Sequence, residues 1–315
     1  MSFFGIPPVR LRWHKHPDDA GVEYEDFSLG VEGMELHRRS FTRQVETGHE
    51  ARLRIENRNG RISVRTHDQP NVVIDVVAEI YAASSGEADA EAERMQRAIV
   101  SEGNRVDIVT PEQQRPEFGI FFFGRGPKVD YDIRVPAETE IQASSRNGPV
   151  QLVGTRKPAQ IQSHNGRVTA EDIAAEVTVE SHNGRISVTR CAGPVRVRGA
   201  NGPITLEKPE REASIQTRNG SIEITEPAAG VTATSTNGSI RFVGRVRGDI
   251  DLRATNGGIR VAVTADSRFE IDAESHRGSV QSDLPVRQGP PAEATTPVHK
   301  VYLRTTNGGI RLTER

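Results

Sequence analysis

Apolar and polar positions alternate with a period of two along most of this chain, and Asn-Gly dipeptides punctuate the alternation at fixed intervals. The dipeptide begins at Asn147, Asn165, Asn183, Asn201, Asn219 and Asn237, each 18 residues after the last. Asn256 follows after 19, Arg277-Gly278 takes the next slot, Asn307 ends the series, and an outlying copy stands at Asn59. Three residues after each corner come Ile62, Val150, Val168, Ile186, Ile204, Ile222, Ile240, Ile259, Val280 and Ile310, all β-branched. Six and four residues before it lie further apolar positions, such as Val177 with Val179 and Val195 with Val197. Polar residues such as Thr178, Glu180, Ser187 and Arg196 fall between them. This pattern predicts two short strands per repeat, each with one buried face.

Two architectures fit such strands. Asn-Gly is the strongest short hairpin signal, so an antiparallel meander competes. A meander would leave a long apolar face uncovered, because the chain offers no matching set of helices. A solenoid closes its own core: the two strands of a coil face one another and like residues stack about 4.8 Å apart. The adopted reading is therefore all-β, a single-stranded right-handed β-helix (β-solenoid) of 18-residue coils, with handedness taken from the rule for parallel crossovers. Seven or eight coils would span roughly 35 Å. Asn147, Asn165, Asn183, Asn201, Asn219, Asn237 and Asn256 then form a structural turn ladder, with Gly supplying positive φ. Small residues two before the Asn, including Ser145, Ser163, Ser181 and Gly199, suit a tight inner corner.

Outside the coils, residues 1–45 read as an extension with a short strand at Val9–Trp13. Residues 46–136 form a lead-in β unit with a long apolar strand at Asn71–Ile80. Within it, Ala88, Ala92, Met95 and Ile99 share a helical face, predicting one amphipathic helix over 85–101 that caps an end of the stack. Residues 118–126 place Phe118, Ile120, Phe121, Phe122 and Phe123 between glycines. This segment is either a plug over the open end of the core or a contact with a partner or membrane surface. Residues 137–315 carry the solenoid repeats, interrupted by a Pro- and Ala-rich loop at 285–299.

The 315 residues carry a net charge of -2 from 41 Lys+Arg and 43 Asp+Glu, so no global field calls for nucleic acid. A single cysteine, Cys191, excludes a disulfide framework and a four-thiolate zinc site. No apolar run approaches ~18 residues, and the start of the chain lacks a basic segment followed by an apolar one. The expectation is a cytoplasmic protein, at most peripheral to a membrane.

Chemistry on a solenoid needs convergent titratable groups on an outer face. The outward columns (Glu56, Ser144, Gln162, Glu180, Arg198 on one side, Ser63, Gln151, Thr169, Ser187, Thr205 on the other) assemble no acidic pair. Glu171, Asp172 and Glu176 read as a solvated turn. His164 and His182 should stack beside Arg146, without a third ligand for a metal. Arg241, Arg260 and Arg311 share a column diluted by acidic neighbours. No catalytic residue, metal ligand or cofactor is nominated, and no small-molecule substrate is expected.

Val129-Asp-Tyr-Asp-Ile-Arg-Val-Pro136, followed by serial Ser-x-Asn-Gly-x-Ile/Val-x-Val units, resembles the bacterial β-strand-repeat family called putative adhesins, or toast-rack domains, over roughly residues 46–315. The resemblance implies a non-enzymatic β-helix tied to cell-envelope stress systems or surface attachment. Many members carry a signal peptide, lipid site or membrane helix, which this sequence does not display. The leading functional expectation is a scaffold that contacts a protein partner or membrane-associated complex, with end coils offering a route to homo-oligomers. A carbohydrate-binding or polysaccharide-cleaving solenoid is the alternative.

Overall fold

A computed structural model of the chain describes residues 11–17, 23–29, 35–112, 127–264, 269–284 and 299–315. Each repeat sends the strand before its Asn into one sheet and the strand after its Gly into a second sheet, as with Val177–Asn183 and Ile186–Cys191. The first sheet has 12 strands and the second 13 among the described residues. Neighbouring repeats pair in parallel and in register, so Val177, Val179 and Asn183 lie beside Val195, Val197 and Asn201. Parallel pairing disposes of the meander. The inward residues of both sheets share one core, with Ile161, Val179, Val188, Ile215 and Ile224 fully buried. Such side chains contribute about 1.5–3 kcal/mol each when removed from water.

The N-terminal end is finished differently. Strands Glu50–Asn59 and Ile62–His67 pair in parallel with Glu138–Asn147 and Val150–Val153, far ahead in the chain. The next layer is Arg105–Val109 and Lys128–Pro136, still parallel. Beyond it the pairing turns antiparallel, with Ile99–Glu102 on the first sheet and Asn71–Ala82 then Glu35–Glu46 on the second. Glu35–Glu46 thus adds a main-sheet strand from within the stretch read as an extension. Leu11–Pro17, where the short strand was expected nearby, pairs antiparallel with Glu23–Leu29 in a separate two-stranded sheet.

The helix runs Ser85–Arg97 and lies against Asn71–Ala82, Glu35–Glu46 and Ile99–Glu102. Ser84 Oγ accepts from the Glu87 amide at 3.3 Å, and Glu87 reaches back to the Ala83 amide at 3.0 Å, a reciprocal cap. Ala88, Ala92 and Met95 form its buried face. It stops short of the expected residue 101. Ile99–Glu102 instead reverses through Gly103, at φ +57, and pairs with Arg105–Val109. Ile99 is buried in either arrangement, which is why the helical period ran past the true end.

At the C-terminal end, spatial order departs from chain order. His299–Asn307 and Ile310–Glu314 insert against Ile250–Asn256 and Ile259–Val263, displacing Phe269–Ser275 and Val280–Ser282 to the outside. Composition explains the exchange. The last coil buries Val301, Leu303, Ile310 and Leu312, whereas the displaced one leaves Phe269 and Ala273 half-buried and Val280 40% exposed. Placing the more apolar coil inside and the more polar one at the edge is favoured by several side chains' worth of burial. The Pro-rich loop, 285–298 of which lies outside the described residues, spans this exchange.

The buried hydroxyls of Ser163, Ser181 and Thr217 have no hydrogen-bond partner, whereas Ser145, Ser235 and Thr305 bond to Gly carbonyls. An unsatisfied buried hydroxyl is a net cost. Ser181→Ala is therefore expected to leave stability unchanged or raise it by up to about 1 kcal/mol. Denaturant unfolding checks this, and a loss above that size would mean the hydroxyl is satisfied in solution.

Candidate functional site

The Asn-Gly corners line one long edge where the two sheets meet. At Gly184 (φ +148) an added Cβ would collide with the carbonyl of Gly166, so stacking and turn geometry together demand glycine. Beside each Gly the Asn amides join: Nδ2 of Asn165 donates to Oδ1 of Asn147 at 2.8 Å. The same bond links Asn183, Asn201, Asn219, Asn237, Asn256 and Asn307, each to its inner neighbour, while Asn147 donates to Asn59 at 2.9 Å. Each interior amide is both donor and acceptor along one line.

One position earlier, outside the ladder, the rings of His164 and His182 stack with centroids 5.0 Å apart and planes 6° from parallel. Arg146 and Ala200 flank them on adjacent strands. With Ser144, Gln162, Glu180 and Arg198 they border an open groove of about 1010 Å³ along the first sheet. Thr110–Glu112, where the chain leaves strand Arg105–Val109, line one end of the groove. Beneath that end, Thr110 Oγ1 donates to Asn57 Oδ1 at 3.1 Å and meets the Tyr131 hydroxyl at 2.9 Å, and Asn57 Nδ2 donates to Val129 O at 2.7 Å. Burial raises the Tyr131 pKa. This network replaces the Ser-based inner corner where the repeat is broken, and nothing in the period-two pattern marked it.

Several carboxylates on the outer faces are held by arginines. Arg190 binds Asp172 at 2.7 Å and also Glu171, Arg196 binds Glu176, and Arg198 binds Glu180 at 3.2 Å. The Arg190 hydrogen bond lowers the Asp172 pKa, and Arg304 does the same for Asp272 at 2.6 Å. Glu171, Asp172 and Glu176 are thus each ion-paired with an arginine. Among the described residues, no three His, Cys, Asp or Glu side chains are grouped to hold a metal ion. Arg241, Arg260 and Arg311 line up in register, with Glu223 at 3.8 Å from Arg241. Phe118, Ile120, Phe121, Phe122 and Phe123 lie outside the described residues. Asp172, Arg190, Lys208 and Glu226 adopt positive φ of 50–57° at equivalent turns on the opposite edge, a regularity their mixed side chains concealed.

A family model described as Toastrack DUF4097 matches residues 49–313. Among solved structures, the chain is similar to a putative lipid binding protein from Parabacteroides distasonis at 12% identity and TM-score 0.45, covering 86% of this chain and 96% of that one. It is also similar to a putative adhesin from Bacteroides fragilis at 13% identity and TM-score 0.43, covering 87% and 97%. A putative cell adhesion protein from Clostridium sporogenes shares 11% identity over 88% of this chain and 100% of that one, at TM-score 0.28. No curated protein matches the chain.

Replacing Asn183 by Ala removes a bond on each side of the ladder and is expected to cost about 1–2 kcal/mol. Asn183→Asp should cost more at neutral pH, because a carboxylate can accept from Asn201 but only repel Asn165 Oδ1. Its folded-state pKa is then raised, so the deficit shrinks as pH falls and the acid becomes a donor. Thermal unfolding at neutral and acid pH checks the order. Burial pushes the Cys191 thiol up to about 11, so native protein should resist an aromatic disulfide reagent at pH 8 that labels the unfolded chain at once.

Proposed function

The chain belongs to the Toastrack DUF4097 family, and we propose that it is a non-enzymatic β-solenoid scaffold acting through protein or cell-envelope contacts, in the manner of an adhesin-like rod. One observation carries this reading: the space between the sheets is filled by a continuous apolar core, and Asp172, Glu176 and Glu180 on the outside are tied to arginines. Such a body offers stiffness and surface rather than a reaction chamber.

In detail, we read the winding as right-handed coils of 18 residues. Supporting this, paired residues in the central strands differ by that number, from Asn147 and Asn165 to Asn219 and Asn237. The rule for parallel crossovers supplies the hand. The contact segment in this proposal is 118–126, with Phe121, Phe122 and Phe123 as its apolar centre. In sequence it falls between strands Arg105–Val109 and Lys128–Pro136, one in each sheet. Among the described residues no helix is long and apolar enough to cross a membrane, and we place the protein in the cytoplasm, peripheral to the envelope. Stress-linked envelope assemblies are the setting this reading favours.

The test compares the wild-type chain with a Phe121→Ser, Phe122→Ser, Phe123→Ser variant by gradient sedimentation in an envelope extract. The wild type is expected in a protein complex well above its own mass, with the variant returning to the free position. Unchanged sedimentation of the variant, or turnover of a polysaccharide by the purified chain, would overturn the reading.

A further inference from the structure

Charge is divided unevenly between the two long edges. Across the corners from Arg58–Ile62 to Thr306–Ile310, none of the residues from one before the Asn to three after it is Asp or Glu. The turns on the opposite edge mix signs, with Glu171, Asp172 and Glu176 held by arginines. On the corner edge Arg146, Arg167, Arg185 and Arg218 are all exposed and, among the described residues, their side chains have no ion pair or hydrogen bond. Arg58, by contrast, is engaged by Glu112. Arg167 and Arg185 lie on adjacent strands, as do Arg146 and the exposed His164. From the strand ending at Asn147 to that ending at Asn219 the stripe runs about 19 Å at one strand spacing per step.

Like charges stacked on neighbouring strands repel; Arg198 sits over Glu180 on the first sheet, whereas Arg241, Arg260 and Arg311 form a second like-charge column, relieved at one end by Glu223. The stripe is therefore a feature with a cost, offset only when something anionic lies along it. What lies there is limited by what the edge lacks. No Phe, Tyr or Trp occurs in these corner residues, so no platform exists to stack a base or a sugar ring. The groove that flanks the edge at Arg146 and His164 is lined also by Glu56, Glu112 and Glu180, carboxylates that oppose the seating of a single polyanionic strand there. A ridge of arginines without stacking groups fits a broad anionic surface, where each cation near the plane adds attraction. The chain also leaves and rejoins the body on this edge, at Glu112 and Pro127, with the Phe-rich sequence in between.

We infer that the Asn-Gly edge between Arg146 and Arg218 docks on an anionic phospholipid bilayer. This rests on the envelope-contact reading and names the lipid surface as what that edge meets. The rod lies lengthwise on the membrane, with the charged stripe down and the mixed-sign turns facing away.

Co-sedimentation of the full chain with protein-free vesicles tests this. Wild type should bind vesicles rich in phosphatidylglycerol, not pure phosphatidylcholine vesicles, and release as ionic strength rises. A variant with Arg146→Gln, Arg167→Gln, Arg185→Gln and Arg218→Gln should lose about a thousandfold in partitioning. A control of equal charge, with Arg156→Gln, Arg241→Gln, Arg260→Gln and Arg311→Gln, should stay within a few-fold of wild type. Circular dichroism melts confirm that both variants fold. Equal loss in the two variants, or no binding by the wild type, overturns the inference. So does tighter binding to a single-stranded nucleic acid or an acidic polysaccharide than to the vesicles. Because no protein partner is present, failure here leaves the envelope-complex result standing, and success here does not depend on it.

Discussion

Parallel, in-register pairing forces each side chain to sit about 4.8 Å from its counterpart in the next repeat. Every column must then tolerate self-association. Apolar columns do so without penalty and make the core, as Val177 on Val195 and Ile204 on Ile222 show. Amides do so because each Asn carries both a donor and an acceptor, which lets the ladder run from Asn59 to Asn307. Charged columns do so only when signs alternate, which is what Glu180 with Arg198 and Asp172 with Arg190 achieve. The unpaired arginines of the corner edge depart from that rule, as does the in-register column of Arg241, Arg260 and Arg311 on the second sheet.

The same constraint makes the ends the vulnerable places, since an end layer exposes backbone donors and acceptors. The two ends are managed by different means. At the N-terminal end the strands turn antiparallel and a capped helix covers part of the last layer. At the C-terminal end the chain places its more polar coil outermost and tucks the more apolar one beneath it. Neither device needs a special motif, only unequal apolar content between neighbouring segments.

For function, the consequence is a body whose interior is fully committed to packing. Several of its outer carboxylates, Asp172 and Glu176 among them, are paired with arginines, and its thiol is buried. What remains available is the surface of the edges, and chiefly the corner edge, where the broken repeat at Thr110–Glu112, the histidine stack and the free arginines come together. Membership of the Toastrack DUF4097 family accounts for the repeat and its fold.

Local spacing was enough to reveal the repeat unit, its two strands, the inward columns and the Asn positions, because alternation and a fixed corner are properties of neighbouring residues. The amphipathic helix was legible for the same reason, though not its end, since Ile99 satisfies a helical and a strand pattern equally. Three matters were decided only in three dimensions. The final coil lies inside the one before it because burial is compared across the whole stack, not along the chain. Glu35–Glu46 joins the second sheet because Asn71–Ala82 left an edge for it. The arginines of the corner flank one edge because positions just before the Asn end strands of the first sheet and positions just after the Gly lead into strands of the second.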